Sequence, residues 1–457
     1  MTSRSGGDGP GGDGSILRIE ALTGDGGGLA RPAGRVWLVP RAFPGDEVLA
    51  AAVRVRPRYV EGRLLRVLAA SPDRRHAPCP VQDRCGGCPW MGLAEPAQRG
   101  WKARRVRDAL ERIGRLDPSV VENIRSGERA LGYRNRVEFT LGRDPTSGRP
   151  VVGLHAGATA AGLVDVEACA LQGEPAQRVL ASAREFLLSE DRQWWRTSPD
   201  AGIRLAIRRS AHTGEVLVAI CETGVELAEA GALADRLASR HPEVCGVVRL
   251  ERRDGRRGGA RTTPLRGRAW VEERLGTTVF RVPAACFTQV NADWTGSLPA
   301  LVRECAGELE GAGAVDLYGG VGANGIELAR AGAPTVAICE ADLDAVSCGR
   351  EAARRAGLEG VRFTRAGVAA FLSRGWPRTA VGVVVANPPR SGLGRGIAAT
   401  LAARRAPKLV IVSCDPATLA RDLRVIVDGG YRLRRLIPLD LFPQTPHVEA
   451  VAELGLE

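Results

Sequence analysis

The chain has 457 residues, 44% hydrophobic and 25% charged, with a formal net charge of +12. Such a length sets two or three domains, and such a composition excludes a fibrous or low-complexity protein. No apolar stretch is long enough for a membrane helix, and the positive charge fits a polyanionic partner such as nucleic acid.

Residues 1–14 (MTSRSGGDGPGGDG) lack the apolar core of a signal peptide and read as a disordered tail, so a cytoplasmic location is expected. Eleven cysteines in that compartment do not read as a disulfide framework. Residues 15–72 alternate apolar runs (SILRIEAL, GRVWLVP, DEVLAAAVRVRP, GRLLRVLAA) with the turn-rich TGDGGGLARPAG, RAFPG and RYVE. Five such strands predict a closed OB-like β-barrel, a fold often used for oligonucleotides. Arg54, Arg56, Arg58, Tyr59 and Arg63 set cations around an aromatic ring. The stretch GRVWLVPRAFPGDEV resembles a TRAM domain, a small RNA-binding barrel.

Cys79, Cys85 and Cys88 follow, with Gly86-Gly87 between the last two. Closely spaced thiols around a glycine turn suit a metal, either zinc or an iron–sulfur cluster, and both want four ligands. No histidine stands at zinc-finger spacing, so Cys169 in GLVDVEACALQ is the candidate for the fourth. Residues 96–116 predict an amphipathic basic helix with Val106, Leu110 and Ile113 on its apolar side. Its Trp101, Lys102, Arg104, Arg105 and Arg107 would face phosphates or solvent. The segment 73–285 as a whole predicts an α+β middle domain, iron–sulfur and RNA-binding, with a flexible basic loop at 253–268.

From residue 286 to 457 strands and helices alternate, which predicts a parallel α/β sheet of Rossmann-like type with seven strands, the last two as an edge pair. Asp316-Leu317-Tyr318-Gly319-Gly320-Val321-Gly322 forms a glycine-rich turn between strand and helix. Glu340 ends the next strand, where a carboxylate can bind ribose hydroxyls, and no P-loop follows; S-adenosylmethionine fits better than NAD. Asn387-Pro388-Pro389-Arg390 ends the fourth strand on a stiff turn. In KLVIVSCDPATLARD, Cys414 sits at the carboxyl end of a strand, with Asp415 to cap a helix and Pro416 in its first turn. A helix N-terminus favours a thiolate there.

These motifs, in this order and together with GYRNRVEFT, CFTQVN and FPQTPHVEAV, resemble the RNA 5-methyluridine methyltransferases, the bacterial uracil-5 rRNA and tRNA enzymes. The resemblance spans nearly the whole chain. It implies a class I methyltransferase domain, S-adenosyl-L-methionine as cofactor, RNA (rRNA or tRNA) as partner, and a 4Fe–4S cluster on Cys79, Cys85, Cys88 and Cys169. It implies cofactor contacts from Gln289, Tyr318, Glu340 and Asn387, with Cys414 as nucleophile and Glu449 as general base. The family carries Asp where this chain has Asn387, which keeps an acceptor oxygen and loses a charge. Two rival expectations are an amino-methyltransferase built on Asn-Pro-Pro-Arg, which leaves Cys414 and Glu449 without roles, and an inactive iron–sulfur RNA-binding relative. No motif points to an obligate protein partner.

Overall fold

A computed structural model of the chain describes residues 14–144, 147–157, 162–189, 194, 202–252, 260–309 and 311–457. Residues 1–13, nearly all of the expected tail, lie outside this set, as do 253–259 of the expected basic loop. The chain divides into two compact units: Met1–Trp101 with Leu154–Val164 and Phe442–Pro446, and Lys102–Gly153 with Asp165–Leu441 and His447–Glu457. In the first unit Trp90, Leu93 and Trp101 pack on Phe43. In the second, Val106, Leu110 and Val121 join the core of the C-terminal sheet.

The first unit holds six strands: β1 (Ser15–Arg18), β2 (Ala21–Leu22), β3 (Gly28–Ala30), β4 (Val36–Val39), β5 (Glu47–Val55) and β6 (Tyr59–Ala69). Their order is β1-β5-β6-β4-β3-β2. Two residues separate β1 from β2, and those residues bond to both sides: Ile19 N–H to Asp46 and Glu20 N–H to Leu29. The sheet therefore closes as a barrel of five strands, the first bent into β1 and β2, with no free edge. Leu17, Ile19, Val39, Val48 and Ala50 fill it. Gly28 lets two strands approach, since a Cβ there would lie 2.4 Å from the Ala42 carbonyl. Asp46, fully buried, accepts from the N–H groups of Phe43 (2.6 Å) and Ser71 (2.9 Å) and pairs with Arg74 at 2.6 Å.

Helix α1 (Glu95–Ala109) passes into a π-helical turn, Leu110–Gly114. The wider turn rotates Ile113 off the apolar side predicted for it, and it is exposed. Lys102 is also not where the sequence placed it. Its side chain is fully buried, 2.5 Å from Asp440.

The middle of the chain forms a sheet of β8 (Arg136–Arg143), β9 (Pro150–His155), β10 (Leu163–Asp165), β11 (Ile203–Arg209), β12 (Val216–Glu222), β13 (Val244–Arg252) and β14 (Ala260–Gly267), in the order β10-β9-β8-β11-β12-β13-β14. Helices α2 (Glu174–Leu187) and α3 (Ala230–Arg240) belong to this region, followed by a hairpin of β15 (Trp270–Leu275) and β16 (Thr278–Pro283). Residues 260–267, expected as part of a flexible loop, form β14 because they complete an antiparallel ladder with β13.

The C-terminal sheet contains β17 (Gly313–Leu317), β18 (Val336–Glu340), β19 (Val361–Arg365), β20 (Val381–Ala386), β21 (Lys408–Ser413), β22 (Tyr431–Asp440) and β23 (Glu449–Leu456), with helices α4 (Trp294–Ala306), α5 (Ala323–Arg330), α6 (Leu343–Arg355), α7 (Gly394–Arg404) and α8 (Pro416–Asp428). The order is β19-β18-β17-β20-β21-β23-β22, and a short β7 (Arg125–Ser126) adds an eighth strand beside β22. The first five are parallel; the central β17, β20 and β21 are almost wholly apolar, as strands covered on both faces must be, while the edge strand β19 (VRFTR) is largely polar. The last two strands form an antiparallel pair at the end of this sheet, with β23 between β21 and β22 and the two-residue β7 added beyond β22.

Asp46→Ala should leave two buried N–H groups without acceptors, each costing about 1–3 kcal/mol. Urea unfolding of the variant should show a first transition lowered by roughly that sum, and an unchanged midpoint would remove Asp46 from the account of barrel stability.

Candidate active site

The glycine turn after β17 is built by steric exclusion. A Cβ at Gly319 would lie 2.5 Å from Ile338 Cγ2, and one at Gly322 2.5 Å from Phe363 Cζ. Tyr318 sits in left-handed backbone, φ 56°. For a tyrosine that conformation costs about 1–2 kcal/mol, and such strain gathers where a ligand is held. Gly320 N–H donates to Glu340 Oε2 at 2.9 Å, while Glu340 Oε1 accepts from Ala341 and Asp342 N–H. Each carboxylate oxygen has a second lone pair, so Glu340 can brace the turn and still receive hydroxyls. Asp316 beneath the turn accepts from Gly325 N–H at 2.9 Å, and burial, with the Glu340 charge, pushes its carboxyl up to about 7.

Asn387 begins the turn after β20, its N–H donating to the Leu317 carbonyl at 3.2 Å. Gln289 lies in the connection between β16 and α4. Its carbonyl accepts from the side chain of buried Asn135 at 3.0 Å. Beside it, fully buried Arg208 donates to Thr288 Oγ1 (2.7 Å) and the Cys286 carbonyl (2.6 Å). Asn135 stands in GYRNRVEFT, a motif visible in the sequence whose supporting role was not.

Cys414 follows β21, half-buried, and the Asp415 side chain accepts from Thr418 N–H at 2.8 Å as expected of an N-cap. Glu449 opens β23 and is 3% exposed. The last bonded pair of β21 and β23 is Ser413 with Ala450, so the next pair along the register is Cys414 with Glu449. Their electrostatics agree. Burial and then the Glu449 charge push the Cys414 thiol up, against the opposing pull of Arg390. Burial pushes the Glu449 carboxyl up to about 8, with Arg390 again opposing. Desolvation thus opposes the helix terminus in setting the Cys414 thiol. Arg390 is a cation common to both groups, a role not seen in the sequence. His447 is pushed down to about 4 by burial and by Arg390, Arg105, Lys102 and Arg134, so its imidazole is neutral at pH 7.

The four expected metal ligands do not fall in one unit. Cys79, Cys85 and Cys88 are in the first, and Cys169, just beyond β10, is in the second. All eleven cysteines are described and none is in a disulfide. Among the described residues no three His, Cys, Asp or Glu side chains are gathered at metal-binding geometry. Within the first unit, Gly87 N–H donates to Cys85 Sγ at 3.4 Å. Burial and then, behind that N–H bond, the neighbouring Cys79 charge bear on the Cys85 thiol. Arg41, in left-handed backbone at φ 63°, donates through Nη2 to the Cys85 carbonyl at 2.9 Å. Its Nη1 is buried without a hydrogen-bond partner among the described residues.

Residues 377–455, which carry Asn387, Cys414 and Glu449, match the family described as tRNA (Uracil-5-)-methyltransferase. Over 95% of its length the chain is 35% identical to an uncharacterized RNA methyltransferase of Gloeobacter violaceus, covering 95% of that protein. The chain belongs to the RNA (uracil-5-)-methyltransferase family. A second RNA methyltransferase, from Halalkalibacterium halodurans, is 32% identical over 96% of both chains. The methyltransferase also superimposes on the crystal structure of Pyrococcus abyssi tRNA (uracil-54, C5)-methyltransferase in complex with S-adenosyl-L-homocysteine, with a TM-score of 0.72, 25% identity, and coverage of 96% of this chain and 100% of that one. The class I methyltransferase fold expected from the sequence is the fold found. No described helix is long and apolar enough to cross a membrane.

Because the methyltransferase folds with Glu449 raised from about 4.5 to about 8, the folded state holds a proton that the unfolded chain releases. The stability contributed by that proton is complete below about pH 4.5 and lost as pH rises to about 8. Glu449→Gln carries no such proton, so its unfolding free energy should gain on the wild type across this window. Parallel pH profiles of the two proteins would contradict the burial of a protonated Glu449.

Proposed function

We propose that the enzyme methylates carbon 5 of uracil in RNA, with S-adenosylmethionine as donor, through a covalent bond between Cys414 and carbon 6 of the base. The observation that carries this reading is the apposition of Cys414 and Glu449 at the ends of β21 and β23, with Arg390 acting on both. Carbon 5 of uracil is a weak nucleophile. Addition of the Cys414 thiolate to carbon 6 pushes the double-bond electrons to carbon 5 and the neighbouring carbonyl oxygen. The cofactor, when bound, supplies an electrophilic methyl group on a sulfonium. Glu449, in its ionised form, then takes the remaining proton from carbon 5, the electrons return to form the double bond, and the bond from carbon 6 to sulfur breaks. Thiolate is restored, and one proton is released overall.

The chain's own residues provide the cradle for the donor. The glycine turn at 319–322 leaves room where side chains would clash, Glu340 offers carboxylate lone pairs, Tyr318 and Asn387 follow the neighbouring strands β17 and β20, and Gln289 is the further proposed contact. A base must leave its stack to reach Cys414, and Phe287, 66% exposed and two residues before Gln289, is suited to stack on it. The barrel at 15–72 serves as a TRAM-type RNA-binding module, the segment 73–285 as an iron–sulfur and RNA-binding region, and 286–457 as the catalytic domain. The buried, unpaired guanidinium N–H of Arg41 and the Gly87 N–H on Cys85 suit an anionic thiolate-bound group. Cys79, Cys85, Cys88 and Cys169 are its proposed ligands as a 4Fe–4S cluster, in a structural role.

The test is RNA containing 5-fluorouracil, either rRNA or tRNA, with S-adenosylmethionine. Fluorine cannot leave as a proton, so a gel-stable adduct mapping to Cys414 is expected, and none with either RNA would favour an amino-methyltransferase or an inactive binder. Cys414→Ala should abolish transfer while binding cofactor. Glu449→Gln should methylate once and stall as an adduct, and prompt product release from it would remove Glu449 as the base. Anaerobic purification should give brown protein with about four irons. Stoichiometric zinc without iron would dismiss the cluster.

A further inference from the structure

The turn from Asn387 to Leu393 joins β20 to α7, and three side chains of α8 hold it. Thr418 Oγ1 shares its one proton between the Arg390 carbonyl at 3.3 Å and the Asp415 carbonyl of its own helix at 3.2 Å. Arg421 Nη2 donates to the Ser391 carbonyl at 2.8 Å. Leu393 N–H donates to Asp422 Oδ2 at 2.7 Å. The spacing of 418, 421 and 422 puts all three on one face of the helix. Asp422 is 2% exposed, and its other oxygen accepts from Arg421 Nε at 3.0 Å. The turn can come this close only through Gly392, at φ 74°, where a Cβ would lie 2.4 Å from Asp422 Oδ2 and 3.0 Å from Thr418 Cβ. Helix α8 starts two residues after Cys414, and the other end of the turn is fastened to the cofactor strand by Asn387 N–H on Leu317.

We propose that Thr418, Arg421 and Asp422 are positioning residues for methyl transfer, holding the turn that carries Asn387 and Arg390 in register with the helix that presents Cys414. The proposal rests on Cys414 being the nucleophile. Its physical basis is the distance dependence of the reaction. Attack, transfer and proton removal need groups from β20, β21 and β23 placed together, and a displacement of about 1 Å in one of them can cost roughly 100-fold in rate. Hydrogen bonds between turn and helix set that placement without touching substrate.

Thr418→Val deletes one hydroxyl, and Thr418→Ser keeps it. Gly392→Ala pushes the turn off the helix without altering any side chain that bonds. Adduct formation on 5-fluorouracil RNA, kcat and the KM for S-adenosylmethionine should be measured for each, with melting temperature as the check on folding. Thr418→Val and Gly392→Ala are expected to slow adduct formation and kcat by on the order of 10- to 100-fold, to leave KM within about two-fold, and Thr418→Ser to restore most of the rate. Should Gly392→Ala not fold, the Thr418 pair decides alone. Wild-type adduct rates in Thr418→Val, a loss confined to KM, or a loss that Thr418→Ser does not restore would each overturn the positioning role. If the unsubstituted enzyme forms no adduct, the nucleophile assignment falls and takes the proposal with it.

Discussion

The antiparallel pairing of β23 against β21 is the constraint on which the candidate site depends. Side chains alternate faces along a strand, so a slip of one residue in the Ser413–Ala450 register would turn Glu449 to the opposite side of the sheet. Nothing local to Cys414 could replace it. The chain reaches this register only by travelling along β22, turning back, and inserting its last strand between two others. The apolar packing of both sheet faces therefore does more than stabilise the domain. It sets which residue stands opposite the thiol.

Around that pairing the fold tolerates groups that work against its own stability. Glu449 and Asp316 are buried carboxyls pushed toward their neutral forms, and Tyr318 holds a backbone conformation that tyrosine disfavours. Each would be simpler as an apolar or glycine residue. They sit at the carboxyl ends of β17 and the amino end of β23, where the strands stop and a ligand can reach the backbone. The surrounding core of Leu317, Val384, Ile411, Leu419 and Ala450 offsets their cost.

Local features were legible in the sequence. KLVIVS reads as a strand because it is a β-branched run, and Asp415-Pro416 reads as a helix start because both residues satisfy first-turn requirements. The glycine turn and Glu340 read together for the same reason. What depends on distant segments was not legible. Lys102 looks like any helical surface cation until Asp440, more than three hundred residues later, is folded against it. The burial of Cys414, which opposes the effect of the helix terminus, comes from packing rather than from the neighbouring helix. The strand at 260–267 looks like a basic loop because its ladder partner, β13, is what makes it a strand.

The burial of Lys102 has a counterpart at the chain's other lysine, Lys408, whose Nζ donates to the Ala306 carbonyl at 2.9 Å. With both amines engaged in holding the fold, every other basic side chain is arginine. A guanidinium at the surface keeps its charge across the whole range in which an enzyme can be assayed. The cationic part of the field offered to a polyanion is therefore constant while Glu449 and Cys414 change protonation beneath it. On the proposed mechanism, a proton titrated out of the centre changes reactivity while the arginines keep their hold on a polyanion.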